Sequence, residues 1–182
     1  MKKSIAVKLL LSFSIFATIY TASQATTPQA EAYTTIGGKY GSSNITWNFQ
    51  GSGSNYAGAS TFGVNAWNNA NTDVTLTHTN DVTKANIIFR HKDYGNIGWN
   101  ARCANKPVHT SGTYTRSDID FNEHTMEAMT ISQRTGVSAH ELGHAFGLDH
   151  VTDKTQVMCT WGNGRTATAP GSDDIKGVNA LY

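Results

Sequence analysis

Apolar and polar residues alternate along residues 45–49, Ile-Thr-Trp-Asn-Phe, and this period of two predicts a strand with one buried face. Glycine and serine between 51 and 55 break it. Across residues 56–70, Tyr56, Ala59, Phe62, Ala66, Trp67 and Ala70 recur at steps of three and four, which predicts an amphipathic helix with Trp67 in the core. Residues 74–79 alternate again and predict a second strand. The apolar run within 86–90 predicts a central strand buried on both faces, residues 95–102 an edge strand, and residues 113–121 a further alternating one. The Gly-, Ser- and Thr-rich residues 33–44 read as an extended N-terminal segment. Helices are predicted over about 130–146 and over 173–181, the latter capped by Ser172 or Asp173. Strand, helix, strand, strand implies an α/β or α+β layer with helices on a largely parallel sheet.

The first residues follow a different pattern. Lys2, Lys3 and Lys8 precede or enter an apolar run over 9–20 that is too short to span a bilayer, so the pattern predicts an export signal and no stable membrane association. Small residues at Ser23 and Ala25 suit cleavage after Ala25, and Ala30 and Ala32 offer a second site after residue 32. The remaining residues 26–182 are enough for one domain and too few for two, and a monomer is expected. A net charge of +1 without a basic block gives no support for nucleic-acid binding. Cys103 and Cys159 are the only cysteines, and an even count in an exported chain predicts a disulfide between them. The alternative is a free thiolate capping a metal.

Candidate chemistry is concentrated between His140 and His150. On a helix, His140 and His144 lie one turn apart on one face and can share a metal ion; Gly147 can turn the chain back so that His150 becomes a third ligand. Three imidazoles with a fourth position open to water describe a catalytic zinc site, because structural sites fill all four positions with protein. Zinc there would acidify water and polarise a carbonyl, and Glu141, beside the first ligand, is the candidate catalytic general base for peptide-bond hydrolysis. With this chain's composition the full pattern arises by chance roughly twice in a hundred thousand shuffles.

The pattern His-Glu-x-x-His-x-x-Gly-x-x-His is matched at every fixed position, and the chain therefore resembles the metzincin zinc proteases. Its order of segments resembles a matrixin catalytic domain most closely. These are the strand containing Trp47, the helix containing Val64 and Trp67, Asp73 to Leu76, Ala85 to Phe89, the zinc helix, and the ending Asp173-Asp174-Ile175 with Gly177, Leu181 and Tyr182. The resemblance implies a twisted five-stranded, mostly parallel mixed sheet with an antiparallel edge strand, about three helices, and zinc at the floor of a cleft below that edge. It implies Met158 as the methionine beneath the metal. It also implies an extended peptide or protein substrate antiparallel to the edge strand, at residues 95–101 by position, and a specificity pocket formed by Val137 and by Thr160, Trp161 and Gly162.

Departures accompany the resemblance. No prodomain of matrixin length and no propeptide cysteine-switch sequence is expected here, and Val151 stands where matrixins usually carry serine after the third histidine. Matrixins also hold a structural zinc and calcium. His91 and Asp93 match half of such a zinc site, while Asn100 and Asp120 stand near the remaining positions, so a second zinc is not expected and His78, His109 and His124 read as surface residues. Asp118, Asp120 and Asn122 begin like a calcium loop but lack its glycine and its final glutamate; one calcium in another geometry is kept as an expectation. Two other functions fit the same zinc site: a zinc-containing module that binds peptide or cell-wall polymer without cleaving it, and hydrolysis of a non-protein amide.

Overall fold

The computed structural model describes residues 33–108 and 111–182. Along the chain run β1 (Thr34–Thr35), β2 (Gly38–Tyr40), β3 (Asn44–Gln50), α1 (Ser54–Asn68), β4 (Thr75–His78), β5 (Ile87–Lys92), β6 (Ala101–Lys106), β7 (Gly112–Tyr114), β8 (Arg116–Asn122), α2 (Glu123–Met126), α3 (Ile131–Phe146), β9 (Leu148–Asp149) and α4 (Ser172–Leu181). The expected export signal and His109 lie outside the described residues.

Five strands form the main sheet in the order β4-β3-β5-β8-β6. All neighbours are parallel except β6, which runs antiparallel to β8 at the edge. The mostly parallel sheet with an antiparallel edge is thus present as expected. The run Ile87, Ile88 and Phe89 is continuous because β5 sits in the middle of a sheet covered on both faces, and all three residues are buried. α1 and α3 cross one face together. Trp67 anchors that contact: its indole N–H donates to the Ala139 carbonyl at 2.8 Å, and its ring meets Phe146 edge-on at 5.1 Å. Burying side chains of this size contributes about 2–3 kcal/mol each, so this contact fixes where α3 lies.

The edge strand is displaced from its predicted place. Residues 95–100 form a loop and β6 begins at Ala101. Asn122 explains the loop. Its Nδ2 donates to both the Gly95 carbonyl (3.0 Å) and the Trp99 carbonyl (3.1 Å), two groups that an extended strand would hold about 13 Å apart. The predicted strand over 113–121 is two strands: β7 pairs with β2, and β8 joins the main sheet. α4 starts at Ser172 with Gly171 as its cap, in place of the expected Ser172 or Asp173. A fourth short helix, α2, has a span too brief to leave a periodic signal.

Candidate active site

α3 starts at a capping box. Gln133 N–H donates to Thr130 Oγ1 at 3.2 Å, and Thr130 N–H donates to Gln133 Oε1 at 2.9 Å. From that start the helical period brings His140 and His144 onto one face, with ring centroids 4.7 Å apart. The helix ends at Gly147, whose φ of 107° lies in the left-handed region; a Cβ there would meet the Gly38 carbonyl oxygen at 2.2 Å. After this turn, β9 carries the chain to His150.

The three imidazoles converge. His150 Nε2 lies 3.2 Å from His140 Nε2 and 3.0 Å from His144 Nε2. Backbone carbonyls occupy the opposite ring nitrogens: His140 Nδ1 donates to Val157 at 2.7 Å, and His144 Nδ1 donates to Leu148 at 2.9 Å. A carbonyl can only accept, so each Nδ1 carries the proton and each Nε2 presents a lone pair to the centre. Burial keeps both rings neutral, holding His140 well below its ordinary value and pushing His144 down to about 4. Two lone pairs and His150 Nε2, the latter able to offer one proton at most, do not satisfy one another at these distances. A cation does: zinc with bonds of about 2.0–2.1 Å in tetrahedral geometry places its nitrogen ligands about 3.3 Å apart. Among the described residues these three histidines form the only cluster with metal-ligand spacing, so the residues fit zinc.

Glu141, on the same helix, is 6% exposed. Burial pushes its carboxyl up to about 8, against the pull of the Arg165 charge and the Cys103 main-chain N–H. Beneath the histidines lies Met158. The Cβ that Gly143 lacks would meet Met158 Sδ at 2.2 Å, so the histidine face of α3 rests directly on this methionine. Asp174 holds the turn in place from α4, its carboxylate accepting from the N–H groups of Val157 (2.6 Å), Met158 (3.3 Å) and Gly171 (2.8 Å). Burial raises the Asp174 carboxyl even so.

A cavity of about 310 Å³ opens beside His140 and His150. Val137, Thr160, Trp161 and Gly162 line it, together with residues 98–101 and Arg165. The three histidines form one cluster, and His140 and His150 share the cavity with Val137, Thr160, Trp161 and Gly162, while Glu141 lies on α3 and Gly147 at its end. Two participants carried no sequence signal: Arg165, in a loop without periodicity, and Asn105, whose Nδ2 donates to the His144 carbonyl at 2.9 Å. Asp174 was visible only as part of the Asp-Asp-Ile ending.

The cysteines depart from expectation. Cys103 and Cys159 are free thiols, not a disulfide. Cys103 Sγ lies 3.4 Å from Asn105 Oδ1 on the face that β6 turns to α3, whereas Cys159 Sγ faces the Thr152 and Thr160 carbonyls at 3.7 and 3.6 Å. Burial pushes the Cys103 thiol well up, and neither sulfur joins the histidine cluster. The segment read as a possible calcium loop is strand β8. Asp118 faces Arg90, Lys106 and Arg116, Asp120 faces Arg102, and Asn122 is committed to backbone groups. His91 is stacked between Phe49 and Tyr56 with Nδ1 against Glu123, and Asp93 Oδ1 lies 3.7 Å from His124 Nδ1. His78 packs edge-on against Trp47.

Comparison with known proteins agrees with this geometry. The matrixin family model matches residues 29–182. The chain belongs to the matrixin family. Within it, this matrixin is similar to human matrilysin, with 38% identity over 78 residues, covering 39% of this chain and 28% of that protein. The match thus spans less than a third of the curated relative.

Proposed function

We propose that this matrixin is a secreted zinc endopeptidase that cleaves extended segments of protein substrates. The observation that carries the reading is the convergence of three imidazoles, those of His140 and His144 held neutral by burial on a helix that also carries the buried Glu141, with a cavity beside His140 and His150 and a sheet edge at β6. His140, His144 and His150 would hold the metal. Zinc, when bound, acidifies water and polarises a carbonyl oxygen.

The remaining work falls to the chain itself. β6 has a sheet neighbour on one side only, so its outward N–H and C=O groups, apart from the Cys103 N–H that faces Glu141, can pair with a peptide as an added antiparallel strand. Such pairing lays the scissile bond across the histidine cluster. Glu141 takes a proton from the attacking water and delivers it to the leaving amine. Burial supports that role, since a carboxyl raised towards neutrality can both accept and return a proton near pH 7. Asn105 and the Val157 carbonyl hold the ligands in orientation. Export rests on the basic start and apolar run over 9–20, and N-terminal sequencing of protein from culture medium should begin at Thr26.

Glu141→Gln tests the mechanism. It keeps shape and zinc but removes the base, so hydrolysis of casein or a peptide should fall by about 10³-fold or more with metal content unchanged. Undiminished turnover would sink the assignment of Glu141. The non-cleaving module predicts no hydrolysis by the zinc-loaded wild type.

A further inference from the structure

The cavity beside the histidines holds a buried charge that the hydrolytic scheme leaves unused. Arg165 lines it and is 7% exposed. Nη1 donates to the carbonyls of Val157 (3.1 Å) and Cys159 (3.5 Å), and the Nε–H is buried without an acceptor. Neutral carbonyls satisfy hydrogens without cancelling charge; the buried Glu141 and Asp174 carboxylates act on the guanidinium only through space, and among the described residues no carboxylate forms an ion pair with it. Trp161 covers the guanidinium, with its ring centroid 5.8 Å from Cζ. A buried guanidinium stays protonated and is costly unless an anion meets it.

No carboxylate lines this cavity, whose walls are otherwise apolar, small or neutral apart from the two histidines. At about 310 Å³ the cavity has room for one long side chain and a few waters, each of which takes roughly 30 Å³. Its place along the cleft follows from strand direction. Ala101, at the start of β6, is in the cavity wall, and the strand runs away from it to Lys106. A peptide antiparallel to β6 therefore lays its C-terminal half over the cavity.

We infer that Arg165 makes this cavity a receptor for a carboxylate side chain, Glu or Asp, on the residue that follows the cleaved bond. The carboxylate accepts a charge-assisted hydrogen bond from the guanidinium and so places a counter-charge in direct contact with it, which Glu141 and Asp174 do not. The inference rests on the hydrolytic reading for its substrate, so it needs a readout in binding as well as in cleavage.

Two peptides identical except for Glu or Leu after the cut provide it. Wild-type kcat/KM should favour the Glu peptide by about tenfold or more. Arg165→Met should reverse the order and Arg165→Lys should keep Glu ahead, which separates loss of charge from loss of the Val157 contact. Should both variants fail to fold, the wild-type ratio decides alone. The same peptides are titrated calorimetrically into zinc-loaded Glu141→Gln protein. Tighter binding of the Glu peptide without wild-type cleavage upholds the cavity assignment and overturns hydrolysis. Cleavage with equal rates, or faster for Leu, overturns the carboxylate assignment and leaves hydrolysis standing. No binding and no cleavage of either peptide overturns both.

Discussion

Two glycines of α3 show how closely single residues set the metal cluster. At Gly143 an added methyl would meet Met158 Sδ at 2.2 Å, with Trp67 at 3.4 Å on its other side. Met158 is 1% exposed and has no space to swing aside, so Gly143→Ala should cost about 1–3 kcal/mol as an overpacked core does. At Gly147 the obstruction is the Gly38 carbonyl, part of a strand, and the φ of 107° adds backbone strain that alone costs about 1–3 kcal/mol. Main chain yields less readily than a thioether. Gly147→Ala should therefore be the more damaging of the two in urea midpoint. It should also weaken zinc binding more, because Gly147 sets the turn that returns His150 to the cluster. A competitive chelator titration on both variants checks the order, and equal zinc affinities would contradict it.

At the scale of elements, α4 governs the cluster without touching it. Asp174 accepts from Val157 N–H at 2.6 Å, and the carbonyl of that same Val157 receives the His140 Nδ1 proton at 2.7 Å. Moving α4 thus moves a ligand through one residue. Asp174→Ala should leave three N–H groups seeking partners, one of them part-buried, cost about 2–4 kcal/mol, and lower zinc affinity about 10–100-fold, the usual effect of removing support behind a ligand. Asp173→Asn, next door, loses a half-exposed pair with Lys176 and a negative charge in the first turn of α4, and should shift stability by less than about 1 kcal/mol. A drop in urea midpoint for Asp174→Ala with unaltered zinc affinity would show that the turn is stable without α4.

The whole molecule explains which features were legible in the residues alone. α3 was readable because periodicity and ligand spacing coincide there, and β5 because a doubly covered strand must be apolar throughout. β6 was misplaced because the inner positions of Ala-Arg-Cys-Ala-Asn-Lys are the small Ala101 and Cys103 and the polar Asn105, with Ala104 on the exposed side, which leaves only a faint alternation of apolar residues. Asn105 acts through a contact across 39 positions, to the His144 carbonyl, and Arg165 through main-chain carbonyls of an irregular turn, and no local pattern encodes either. Asp118, read as the first position of a calcium loop, is likewise buried among Arg90 of β5, Lys106 of β6 and Arg116 of its own strand β8. Burial alone would raise its carboxyl, but hydrogen bonds from Lys106 and Arg116 and the charge of Arg90 outweigh this and hold it below its ordinary 3.8. A carboxyl depressed in the folded state contributes stability that is fully present above its unfolded value and is lost as pH falls through the folded one. Asp118→Asn should thus destabilise the fold at pH 7 by about 1–3 kcal/mol, less than a fully buried pair because the three basic partners are partly solvated. Its deficit should shrink as pH drops below about 4, where the wild-type carboxylate also becomes neutral. Urea unfolding of both proteins from pH 7 to pH 2 measures the two curves, and a deficit independent of pH would assign the role of Asp118 to packing instead of charge.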